Sequence, residues 1–98
     1  MPRNKNCRWI SENPQIRYFK PQGIPMAGLK EVILELDELE AVRWADLEGL
    51  YHDQAAEKMK ISRQTFGRII TSARGKIAKA LIGGMALRIE GGNVQLNI

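Results

Sequence analysis

Apolar residues recur at helical spacing in two short stretches in the middle of the chain: Ala56, Met59 and Ile61, then Phe66 and Ile69. The gap between Met59 and Phe66 is filled by Lys60-Ile61-Ser62, which reads as a tight turn. Ser62 can cap a new helix, because its hydroxyl can accept a bond from the amide of Gln64 or Thr65. The spacing therefore predicts one helix over about 52–59 and another over about 63–82, ending at Gly83-Gly84. Upstream, Asp37 and Glu40 form an Asp-x-x-Glu capping pattern for a first helix that runs to about Glu48 and stops at Gly49. Leu39, Ala41, Val42, Trp44 and Ala45 cover more than half its circumference, so it should be gripped from two sides.

The ends of the chain carry a different pattern. Residues 1–15, with two prolines and three asparagines, read as a flexible arm. Ile16–Lys20 fits a short edge strand stopped by Pro21, residues 21–28 a loop, and Val32–Leu36 a second strand. Two alternating runs flank Gly91-Gly92 over residues 85–98, which suits a two-residue hairpin; a packed or frayed tail is the competing outcome. The expected architecture is one mainly α domain over residues 1–98. It has a three-helix helix-turn-helix core over 37–82 and short terminal strands or a hairpin.

Composition narrows the class. A chain of 98 residues with 44% hydrophobic and 27% charged residues suits one modest globular core. No run of about 18 apolar residues occurs, and no apolar stretch follows the basic start MPRNKNCRW, so a cytoplasmic protein is expected. The single Cys7 has no partner for an internal disulfide.

The net charge of +4 is unevenly placed. Residues 1–30 carry six Lys/Arg against one acid, residues 31–59 two against nine, and residues 60–98 seven against one. Positive charge thus gathers on the N-terminal arm and the third helix, as in a polyanion binder.

On a 100° wheel, Phe66, Ile69, Ile70, Ala73 and Ile77 form the inner stripe of the third helix. Opposite them lie Gln64, Arg68, Thr71 and Gly75, with Arg63 and Arg74 on one edge and Lys76 on the other. Gln can pair with the adenine N6/N7 edge and Arg with guanine O6/N7. Arg63, Gln64 and Arg68 are therefore the candidate base readers, and Ser62, Thr65, Thr71, Arg74 and Lys76 the candidate phosphate contacts. Arg3, Lys5 and Arg8 of the arm would add charge contacts. Gly67, Thr71, Ser72, Gly75 and Ala78 make the outward side small; close approach of a DNA backbone or a partner helix would explain this, as would tolerated surface drift.

Catalytic chemistry has little to build on. One His and one Cys stand 45 positions apart, too isolated for a metal site, and no Gly-rich phosphate loop occurs. No cofactor and no enzyme activity is expected. His52 reads as a surface residue at a helix start that can face a phosphate. The acidic set Glu35, Asp37, Glu38, Glu40, Asp46 and Glu48 reads as a solvated helix face rather than paired catalytic carboxylates.

The segments LDELEAVRWADLEGL and ISRQTFGRIITSARGKIAKAL, with MPRNKNCRW, RYFKPQGIP and ALRIEGG, resemble a small prokaryotic family of predicted DNA-binding proteins, domain of unknown function 134. The resemblance covers nearly the whole chain and implies a helix-turn-helix similar to region 4 of sigma factors. Carried over, the recognition segment is Ser62–Arg68. Three positions depart from that pattern: Lys60 where the turn commonly has Gly, Tyr51 where the second helix usually opens with Ser, and Gly75 at a basic position. Lys60 implies either left-handed strain or a different turn, and Tyr51 would leave capping to His52 or Asp53.

The leading expectation is a sequence-specific DNA-binding transcriptional regulator acting as a homodimer. The chains would pair through Ala78, Ala80, Leu81 and Ile82 or through strand edges at Ile33–Leu36 and Met85–Ile98. The alternative is an interaction module whose acidic first helix docks on a protein such as RNA polymerase.

Overall fold

The computed structural model describes residues 7–96. Three helices carry the interior and five short strands close its margins. The strands are β1 (Arg8–Ile10), β2 (Tyr18–Phe19), β3 (Glu31–Leu34), β4 (Ala86–Ile89) and β5 (Val94–Leu96). The helices are α1 (Leu36–Val42), α2 (His52–Met59) and α3 (Arg63–Gly83), and a single π-helical stretch, Arg43–Leu47, extends α1. No helix among the described residues is long and apolar enough to cross a membrane.

Two apolar clusters lie along α3. Phe66, Ile69 and Ile70 pack with Ala41 of α1 and Ala55, Ala56 and Met59 of α2; further along, Ala73 joins Leu34 of β3 and Ile89 of β4. At 1.5 Å per residue α3 is about 30 Å long. Anchored in both clusters, it is the rigid axis of the molecule. The gripping of α1 from two sides is observed, since Ala41 enters the first cluster while Leu36 and Leu39 pack on the second.

The helix boundaries show what local chemistry decides. Ser62 caps α3 as expected, its hydroxyl accepting from the amide of Thr65 at 3.0 Å. The cap of α1 falls two residues earlier than Asp37. Glu35 occupies it, its amide donating to the Glu38 carboxylate at 2.9 Å. Asp37 is instead drawn inward towards Arg8. Tyr51 occupies the cap position of α2, and its amide donates to the Gln54 side chain at 3.2 Å, so neither His52 nor Asp53 caps this helix. Lys60 adopts φ 59° and ψ 44°, the left-handed turn conformation, despite its β-carbon.

The expected hairpin over 85–98 does not form. β4 is the middle strand of a sheet ordered β2-β4-β3, parallel to β3 and antiparallel to β2, so neither of its edges is open to β5. Gly91 and Gly92, at φ +78° and +98°, instead carry the chain over the start of α1. The Leu36 amide donates to the Gly91 carbonyl, and a β-carbon on Gly92 would press on Glu35 and Leu36. β5 then runs parallel to β1. Residues 8–10 of the supposed arm are therefore a strand, while Arg3 and Lys5 lie outside the described residues, as do residues 97–98.

Candidate nucleic-acid interface

The outer surface of α3 has a crest and two edges. Gln64, Thr71 and Gly75 form the exposed crest. Arg63 and Arg74 border a hollow beside the start of α2, with Tyr51 and His52 on its far wall. On the other edge Arg68 borders a cleft shared with Arg8 and Lys60. The three candidate base readers thus occupy one exposed surface: Arg63 on one margin, Gln64 at the centre and Arg68 on the other. None of the three has a hydrogen-bond or ion-pair partner among the described residues.

The candidate phosphate contacts divide. Thr71 is exposed on the crest. Ser62 and Thr65 are engaged with each other, the Ser62 hydroxyl donating to Thr65 Oγ1 at 2.9 Å while capping the helix. Arg74 forms an exposed pair with Asp46, its closest contact 2.8 Å. Lys76 does not border the outer surface as expected. Its position on the helix turns it towards α1, where its ammonium lies 2.8 Å from the Glu38 carboxylate.

Glu38 belongs to a seam that sequence reasoning misplaced. Asp37, Glu38 and Glu40 are only 4–6% exposed, so these three do not belong to a solvated acidic face, whereas Glu35, Asp46 and Glu48 are exposed as expected. Each buried carboxylate has protein partners. Glu40 accepts from the Ser11 amide and the Trp44 indole at 2.8 Å each, and pairs with Arg43. Glu38 accepts from the Ser72 hydroxyl and from Lys76. Asp37 accepts the Glu38 amide and lies 3.7 Å from Arg8.

Burial and the neighbouring Glu35 charge push the Asp37 carboxyl above its ordinary range despite Arg8. Burial pushes Glu38 the same way, but the bonds from Lys76, Ser72 and the Glu35 amide outweigh it and hold Glu38 below the ordinary range. The signal available in the sequence was the i, i+4 pair Ser72 and Lys76 on the α1 side of the wheel. Nothing local marked Arg8, whose place depends on the pairing of β1 with the distant β5.

The two glycines on the outer side of α3 are not required by packing among the described residues. A β-carbon on Gly67 or Gly75 would meet no atom within 4 Å. The His52 ring is half-buried, edge-on to Phe66 at 5.2 Å, and so is held by the core as well as facing outward. Of the proposed pairing residues, Ala80 is buried, whereas Leu81 and Ile82 are 75% and 88% exposed. β3 is an edge strand, while β4 is not. Among the described residues no group of three or more His, Cys, Asp or Glu is placed to hold a metal ion.

Comparison with known proteins returns one family. Residues 1–97 match the family described as "Protein of unknown function DUF134". A UPF0251 protein of Thermoanaerobacter pseudethanolicus is 55% identical over 96 residues, covering 98% of this chain and 81% of its own. A UPF0251 protein of Caldanaerobacter subterraneus is 56% identical over 96 residues, with the same two coverages. One from Chlorobaculum tepidum is 57% identical over 89 residues, covering 91% of this chain and 58% of its own. No solved structure matches.

Proposed function

The chain belongs to the DUF134 family, whose description carries no function, and from that premise we propose that it binds double-stranded DNA in a sequence-dependent way and regulates transcription. In this reading α2, the Lys60–Ser62 turn and α3 act as a helix-turn-helix similar to that of sigma-factor region 4, and the crest of α3 enters the major groove. Gln64 and the two flanking arginines read base edges. Thr71 and, on exchange of its Asp46 partner, Arg74 hold phosphates. That exchange is inexpensive, because an exposed pair contributes only about 0–1 kcal/mol. One such unit covers few base pairs, so two chains act as a two-fold pair. The reading carries a cytoplasmic location with it and involves no catalytic step.

The observation that carries the proposal is the pairing pattern of the polar side chains. Arg63, Gln64 and Arg68 stand exposed and without a partner among the described residues, around glycines whose missing β-carbons face open space. The rival reading, docking on RNA polymerase through an acidic α1, has less to stand on, because Asp37, Glu38 and Glu40 are buried and satisfied internally. Salt dependence separates the two. DNA binding through several phosphates should give log K a slope of about −0.9 per contact against log salt. A shallow slope with no preferred sequence would favour docking on a protein.

A further inference from the structure

Between β1 and the turn preceding α3 lies a cleft of about 730 Å³ in which Arg8 and Lys60 join the base reader Arg68, and base reading gives those two cations no role. Three cations border it, Arg8, Lys60 and Arg68, against one acid, Glu57. The Ser62 and Thr65 hydroxyls complete its polar wall. Pockets for small organic ligands are mostly apolar with few polar groups; this one has the reverse balance.

We infer that this cleft, which meets the base-reading surface at Arg68, is a phosphate site in which Arg8 and Lys60 grip the DNA backbone alongside the major groove. The inference rests on the DNA-binding reading above. Its geometry follows from three anchors. Pairing with β5 and the Asp37 carboxylate, 3.7 Å away, hold Arg8 in place. Lys60 rests its ammonium 5.2 Å above the Trp9 ring, which orients the charge without neutralising it. Arg68 reaches the cleft from α3, so one rigid helix connects it to Gln64 on the crest. Lys60 also holds a left-handed conformation in which glycine would be unstrained. A charge required at that point of the turn accounts for a lysine there.

The test uses the intact chain and two variants. Lys60→Asn removes the charge with a residue that tolerates the left-handed turn, and Lys60→Arg keeps the charge. Affinity for a duplex is measured by fluorescence anisotropy over a range of salt concentrations, with melting curves to confirm folding. Wild type and Lys60→Arg should share one slope of log K against log salt. Lys60→Asn should flatten it by about 0.9, one phosphate contact, with the order of preference among duplexes unchanged. An unchanged slope in Lys60→Asn overturns the inference while leaving the DNA-binding reading standing. Failure of wild type to bind any duplex would sink that reading, and the cleft assignment with it. Inorganic phosphate is titrated separately, following the Ser62 and Thr65 amides by NMR. Saturable shifts that Lys60→Asn abolishes, together with an unchanged DNA slope, would make this a free-anion site and also overturn the inference.

Discussion

The α1 seam and the outer surface of α3 are equally polar in sequence and opposite in structure. Along α1, Asp37, Glu38 and Glu40 are buried, and Ser11, Trp44, Arg43, Ser72, Lys76 and Arg8 meet their charge. On α3, Arg63, Gln64 and Arg68 are exposed and have no such partners among the described residues. A polar group satisfied within the chain contributes to a particular arrangement of helices. One left open on a rigid helix is available to something outside the chain. Function is therefore to be sought where the polar groups are unspent, although the seam has the greater density of charge.

Breaking the seam should give the largest effect. Glu40→Ala leaves the Ser11 amide and the Trp44 indole without their acceptor, and should cost about 3 kcal/mol in chemical unfolding. A loss below about 1 kcal/mol would show that the seam is a surface feature. On the other surface, Gln64→Ala and Arg68→Ala should each weaken binding to a preferred duplex by about 1–3 kcal/mol. Stability should move by less than about 0.5 kcal/mol. If either variant loses as much stability as affinity, the outer surface is structural and the contrast disappears.

The turn joins the two kinds of region, and there the effects oppose each other. Lys60→Gly relieves a left-handed β-carbon, a gain of about 1–2 kcal/mol, but loses the exposed contact with Trp9, about 0.5–1 kcal/mol. A net stabilisation of about 0–1.5 kcal/mol is expected in thermal melts, alongside weaker DNA binding. A lower melting temperature would mean that the Trp9 contact outweighs the strain.

The smallest effect is a pH dependence at the exposed sheet edge. Bonds from Arg88 and Tyr18 lower the Glu31 carboxyl to about 2 from its usual 4.5. Its contribution is therefore complete above the unfolded value and is lost as pH falls from 4.5 towards about 2. Wild type should lose more melting temperature across that window than Glu31→Gln. Equal losses would show that the pair contributes nothing.

The helices were legible because their causes are local. The Ser62 cap, the apolar stripe Phe66–Ile77 and the Gly83-Gly84 stop lie within one element, and all three can be read from spacing. At Lys60 the family resemblance left two outcomes open, left-handed strain or a different turn, and the left-handed conformation is the one observed. Apart from the caps of α1 and α2, which local pairs Glu35–Glu38 and Tyr51–Gln54 form in place of the expected residues, what failed depends on residues far apart in sequence. The Gly91-Gly92 pair has hairpin chemistry, yet β4 was already flanked by β2 and β3. Asp37 has cap chemistry, yet Arg8 from the other end of the chain draws it inward. Lys76 was placed on an edge by the wheel, but a wheel cannot show which edge meets a buried carboxylate. Of the candidate site, the crest could be read from one helix; the cleft with Arg8 could not, because its wall comes from the β1–β5 pairing.

Base reading by the open side chains of α3 is the proposal on which the DNA-binding function turns. Enrichment of random duplexes by the intact protein, followed by sequencing, tests it most directly. A defined motif arranged as an inverted repeat is expected, with half-site centres about 10 bp apart or a multiple of that. With Gln64→Ala, selectivity should relax at one position in each half-site. A selected pool with no motif, or one that Gln64→Ala and Arg68→Ala leave unaltered, would contradict it.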